Sequence, residues 1–144
     1  MELGLVLSTM YKEDFDKGLI KVRDEGNGPF ISKWDSLSPQ PSDDLLQSMY
    51  KDIVKVNSKS KVDAIAYHKI VEIAPEYLQR NMIARSSELL EKMVTSSLTA
   101  EEAQEKTYIE SIWTRIKTLR SHAAYLKSEI EAGNNPDINA GWSE

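Results

Sequence analysis

This chain contains no cysteine, which removes disulfides and thiolate chemistry from consideration and fits a reducing interior such as a bacterial cytoplasm. It also lacks any run approaching the roughly twenty apolar residues that a membrane span needs. The apolar patch at residues 1–11 is too short for a secretory signal and has no positive start, so a soluble protein is expected. Positive charge is not in excess either: 18 Lys and Arg stand against 23 Asp and Glu, a formal net charge of -5. Phosphate binding needs a local positive excess, so nucleic acid is not an expected partner. The basic run at residues 115–120 reads as the solvated side of a helix. Histidine is scarce. His68 and His122 are the two present, and neither has a second histidine or a glutamate in a recognised metal-binding pattern. Nucleophile elbow, phosphate-binding loop and dinucleotide fingerprint are all missing. The acidic pairs Asp43-Asp44 and Glu101-Glu102 fall at expected helix starts, where the helix dipole accounts for them without acid–base chemistry. The expectation is a protein that is not an enzyme, with no catalytic residue, metal or cofactor.

What is there begins with a local signal. Gly26-Asn27-Gly28 supplies three residues that tolerate positive φ, set between 19–23 and 30–34, two runs that mix β-branched, aromatic and basic residues. That arrangement predicts a β-hairpin whose second strand ends near Trp34. Pro39 and Pro41 cannot donate to a sheet ladder and hold Ser38 and Gln40 extended, so a stiff connector follows, leading to Ser42 as a helix cap. Upstream, Leu3, Leu5 and Leu7 alternate as in a strand, while Leu3, Val6, Leu7 and Met10 share a helical face; periodicity over so few residues leaves both open.

The hairpin, tryptophan and Pro-x-Pro-Ser connector, entering a helix with acidic first residues, resembles the XkdW-like and tail-fibre-assembly proteins of bacteriophages and prophages. The residues that carry the resemblance are Asp24, Gly26, Asn27, Gly28, Ile31, Lys33, Trp34, Pro39, Pro41 and Ser42, with Met10-Tyr11-Lys12 as a weak upstream continuation. They cover about the first third of the chain. At the other end, residues 136–142 are similar to the Pro-x-x-Ile and tryptophan closures of some phage tail accessory proteins.

From Ser42 onward the pattern is helical. Leu46, Met49, Ile53 and Val56 recur at three-and-four spacing, predicting a helix over 43–56. A polar stretch, 57–61, reads as a short connection with Ser60 as a new cap, and Val62, Ile65, Ala66, Ile70 and Ile73 then continue the periodicity, with 70–73 also acceptable as a strand. Pro75 marks a boundary before a helix over 76–94. Thr99-Ala-Glu-Glu102 is a capping box that opens a long final helix, ended by Gly133-Asn-Asn-Pro136. Along it Ile109, Ile112, Ile116, Leu119, Ala123, Leu126 and Ile130 form an a/d heptad seam over about three heptads.

Such a row left in water forgoes on the order of 1.5–3 kcal/mol per side chain, so something must cover it. Two partners fit. The chain's own helix 76–94 can fold back as an antiparallel hairpin with Leu78, Met82, Leu89 and Met93 inward. Alternatively, copies can associate as a parallel coiled coil, and isoleucine at both a and d favours a trimer or higher state. Trp113 borders the seam at an e position, Trp34 anchors the hairpin module, and Ile138 and Trp142 give the polar tail two docking side chains.

The expected fold class is therefore α+β, mainly α: a hairpin module over 1–41, a helical region over 42–132 and a polar tail over 133–144. Partner-binding candidates are Trp34, Ile109, Ile112, Trp113, Ile116, Leu119, Leu126, Ile130, Ile138 and Trp142. The resemblance implies a bacteriophage tail-associated assembly protein, a tail-fibre assembly chaperone or accessory protein working by protein–protein contacts with a tail or tail-fibre protein. It would act in the host bacterial cytoplasm during assembly. The alternatives are a structural adaptor retained in the virion tail as an oligomer, and a non-viral helical adaptor.

Overall fold

The computed structural model describes residues 1–142. Five helices and one hairpin follow in the order α1 (Leu3–Met10), α2 (Lys12–Asp16), β1 (Ile20–Asp24), β2 (Pro29–Trp34), α3 (Asp43–Ile73), α4 (Glu76–Thr95) and α5 (Ala100–Glu131). The chain is thus α+β and mainly helical, as the patterning predicts. It divides into two compact units, Met1–Asn57 and Ser58–Glu144. The division falls inside α3, not at residue 42 where the prolines suggest it.

In the first unit the open question at the N-terminus resolves to helix: α1 buries Leu3, Val6 and Leu7 on one face. These pack with Ile20 of β1 and Leu46 of α3, and Tyr11, Phe15, Val22, Ile31, Trp34, Met49, Tyr50 and Ile53 complete the cluster. The two strands pair antiparallel, with an irregularity after Lys21 that leaves Ser32 without an opposite residue. Its hydroxyl turns back to donate to the Lys21 carbonyl, 3.2 Å away, a local answer to the broken ladder. At the turn Gly26 and Gly28 both adopt positive φ, 95° and 97°. The Asp24 carboxylate accepts from both of their amides, at 2.9 and 3.2 Å, so one side chain holds the loop closed. After the prolines, Ser42 Oγ accepts from the Leu45 amide at the start of α3.

The expected break over 57–61 does not occur; α3 is one helix of 31 residues. The sequence there has neither glycine nor proline, and serine, asparagine and lysine cost a helix at most about 0.7 kcal/mol each. The interruption in apolar spacing marks a change in which side chains are buried, not a break in the backbone.

In the second unit α5 is the central element. Its capping box forms as the sequence predicts: Thr99 Oγ1 accepts from the Glu102 amide and the Glu102 carboxylate accepts from the Thr99 amide. At the far end Gly133, at φ 87°, closes the helix, its amide reaching the Ile130 carbonyl while the Asn134 amide reaches Glu129. The end of α3 and α4 lie along α5 as one antiparallel track, interrupted at Pro75. Lys59 and Asp63 meet Glu131 and Lys127 of α5; Arg85 and Lys92 meet Glu105 and Glu102. Between Asp63 and Arg85 the track advances as many residues as α5 does between Lys127 and Glu105, so the register continues across the proline.

Candidate protein-docking site

The heptad seam is buried within a single chain. Ile109, Ile112 and Ile116 pack with Ala74 and with Met82 and Leu89 of α4, flanked by Leu78, Leu98 and Trp113. Leu119, Ala123, Leu126 and Ile130 pack with Val62 and Ala66 of α3. Intrachain cover was expected from α4 alone; the structure divides it between α4 and the second part of α3. These side chains are enclosed within the chain, where they form its core. Met93 is also corrected. It was expected to face the seam, yet it is exposed. Lys92 takes that turn and carries its ammonium to the Glu102 carboxylate, at 2.6 and 2.7 Å.

Two carboxyl groups on this line are held below the ordinary carboxylate range. Glu102 is lowered to about 2, chiefly by the hydrogen bond from Lys92 and then by the Thr99 amide. Glu105 is lowered by Arg85, whose guanidinium grips it through Nε and Nη2 at 2.8–3.0 Å. Both are explained by ion pairing that sets the α4–α5 register.

The tail also docks on its own chain. Trp142 is buried among Val62, Ala66, Leu119, Ala123 and Leu126, with Ile138 packed beside it. Its indole N–H donates to the Ile138 carbonyl at 2.8 Å, which closes the tail into a loop. The His122 ring meets the indole edge-on, centroids 4.7 Å apart. His122 Nε2 lies 3.0 Å from the Ala140 carbonyl; a carbonyl only accepts, so the proton is on Nε2. Gly141 is required between them: its φ is 77°, and a Cβ there would stand 2.7 Å from His122 Cε1. Ile138 and Trp142 are thus intrachain latch residues.

Trp34 and Trp113 are half-buried at the margins of their clusters. Trp34 stands edge-on to Tyr11 at 5.1 Å and donates its indole N–H to the Ser38 carbonyl at 2.7 Å. It locks the connector onto the hairpin, as a core anchor does.

With the predicted residues consumed by folding, the surface available for docking lies elsewhere. In the first unit a groove of about 360 Å³ runs between α1 and α3, lined by Leu5, Thr9 and Met10 on one side and Met49, Asp52, Ile53, Val56 and Asn57 on the other. It exists because α1 buries Leu3, Val6 and Leu7 in the core, while Leu5 lies on another face of the helix and Met10, at its last turn, stays exposed. Two flexible thioethers give it an adaptable lining, suited to an apolar side chain or a short amphipathic segment. Thr9, Asp52 and Asn57 are its polar residues. Within the same unit, the two-stranded sheet pairs each strand on one side only, which leaves backbone donors and acceptors along its edges. Sequence reasoning missed the groove residues because Met49, Ile53 and Val56 carry the same spacing as core positions; the signal lay in Leu5, an apolar residue off the face that Leu3, Val6 and Leu7 share.

Among the described residues no group of three or more His, Asp or Glu side chains is brought together to hold a metal ion, and no helix is long and apolar enough to cross a membrane. A search of protein-family models, of curated proteins and of solved structures finds no match to this chain.

Proposed function

We propose that this chain is a bacteriophage tail-associated assembly protein that holds a tail or tail-fibre polypeptide by protein–protein contact in the host cytoplasm. The observation that carries the reading is the apolar groove between α1 and α3 in the unit that bears the hairpin, the tryptophan and the Pro-x-Pro-Ser connector. An assembly factor must cover apolar surface on an immature polypeptide and then release it. An open groove lined by Leu5, Met10, Met49, Ile53 and Val56, in the same unit as two strands each paired on one side only, provides apolar contact and backbone hydrogen bonds without a deep, slowly exchanging pocket. Retention in the virion as a coiled-coil adaptor loses its main support, because the seam that suggested it is occupied inside the chain.

The test is co-expression with a tail-fibre protein from the same source genome, followed by affinity capture and quantitative mass spectrometry of purified virions. The proposal expects capture of the fibre protein, its loss on Met10→Glu or Val56→Glu with helicity unchanged, and absence of the chain from virions. Capture that ignores both substitutions removes the groove from the function, and a fixed copy number in virions makes the chain a structural tail component.

A further inference from the structure

The second unit carries an apolar surface that folding leaves open. On α4 Met82 and Leu89 face the core, while Ile83, Leu90 and Val94 are 57%, 56% and 88% exposed. With Ser87, these three lie within about 60° of one another around a helix that advances 100° per residue, a narrow stripe on the side away from α5. Single exposed apolar residues are ordinary, but an aligned row of them is a contact surface.

The charges beside the stripe indicate its occupant. Glu76, Arg85, Glu88 and Lys92 of α4 each have a side-chain partner within the chain. Arg80 and Glu91 have none among the described residues. Both project from the same flank of the stripe, one near each end, and their eleven-residue separation of about 16 Å prevents them from meeting each other. A two-fold axis lying in the contact plane, across the helix, reverses helix direction and keeps each flank facing its own copy. Arg80 then comes beside the partner's Glu91, and Glu91 beside the partner's Arg80. An axis at the level of Ser86 brings this pair, and Ile83 with the partner's Leu90, each to within about one residue, roughly 1.5 Å, of level, and the small Ser87 on the stripe lets the helices approach closely.

We propose that a second copy of this chain docks antiparallel on the exposed α4 stripe Ile83, Ser87, Leu90 and Val94, held in register by reciprocal Arg80–Glu91 pairs. A contact confined to one helix of 20 residues belongs to the small, reversible class of interfaces, so the dimer forms and dissociates with concentration.

Sedimentation equilibrium over a wide concentration range tests this on the full chain. The mass is expected to rise from 16.3 kDa toward twice that value, and Leu90→Glu to hold it at the monomer with unaltered far-UV circular dichroism. Charge reversal tests the geometry. Arg80→Glu alone and Glu91→Arg alone each set like charges opposite one another twice and weaken the dimer roughly ten-fold, whereas the double reversal restores it. Because the chain has no cysteine of its own, Ser87→Cys is a clean second probe, expected to give a covalent dimer on mild oxidation while Thr107→Cys does not. A chain that stays monomeric at every concentration overturns the proposal. So does a dimer that ignores Leu90→Glu, or one that the double reversal fails to restore.

Discussion

Replacing Trp142 with alanine removes the largest side chain of the cluster formed by the end of α3, the end of α5 and the tail. The indole is 7% exposed, so nearly all of the roughly 150–250 Å² that a buried tryptophan covers is withdrawn from solvent. At about 25 cal/mol per Å² the apolar transfer is on the order of 4–6 kcal/mol, and a partly collapsed unfolded chain reduces that by roughly 10–40%. A second reduction applies here. Trp142 lies on a terminal segment, so the substitution releases residues 134–142 and does not leave a rigid cavity; the tail regains conformational freedom as the indole contacts are lost. The expected cost is about 2–3 kcal/mol, below the roughly 3–5 kcal/mol of a tryptophan truncation inside a closed core. For a chain of this size that lowers the melting midpoint by about 5–10 °C, followed by circular dichroism at 222 nm. His122 supplies an independent readout, because its ring packs against the indole and donates to the Ala140 carbonyl. Its ring proton resonances are expected to move toward those of a solvated imidazole. A midpoint within 1 °C of the parent, with His122 unshifted, would refute the intrachain latch.

Three further outcomes follow from the same structure. Gly141→Ala places a Cβ against the His122 ring at a residue of positive φ, and the strain of about 1–3 kcal/mol should lower the midpoint and expose the tail to proteolysis; an unchanged cleavage pattern would count against the close approach. Ile116→Asp buries a carboxylate at a fully enclosed position and is expected to cost more than about 4 kcal/mol and melt the second unit. An altered mass with helicity retained would instead return the seam to an oligomer interface. Acid should weaken the α4–α5 pairing: Glu102, at about 2 when folded, lies below its ordinary 4.5, so the unfolded form binds more protons between those values. The stabilisation is present above about pH 4.5 and lost as pH falls toward 2. Glu102→Gln should flatten the acid dependence of the midpoint, and an equal acid sensitivity in both proteins would exclude the Lys92–Glu102 pair as its source.

How much was legible in the chain alone depended on how local the cause was. The hairpin was, because glycines at 26 and 28 and the Asp24 carboxylate fold the turn without distant help. So were the Thr99–Glu102 capping box and the glycine stop at 133, whose partners lie within a few residues. The seam on α5 was readable as a seam but not as to its cover. Three-and-four spacing states that a face must be buried, and neither spacing nor composition carries the identity of the covering helix.

Amino-acid sequence by itself therefore determined part of the elements: that the chain after Ser42 is largely helical, where α5 starts and stops, that a hairpin precedes it, and which face of α5 must leave water. Tertiary structure decided the pairing. It joined 43–73 into one helix because no residue at 57–61 forbids it, and it laid the end of α3 and α4 along α5, enclosing the isoleucine row within one chain. It also drew the polar tail onto the core, where Ile138 and Trp142 pack and the Ala140 carbonyl and the Trp142 indole find hydrogen-bond partners. The physical reason is range. Caps, turns and periodicity act over a few residues and are written where they act, whereas burial is shared among side chains far apart in the chain. The surfaces left over, the α1–α3 groove and the outer stripe of α4, become identifiable only once the core has taken what it needs.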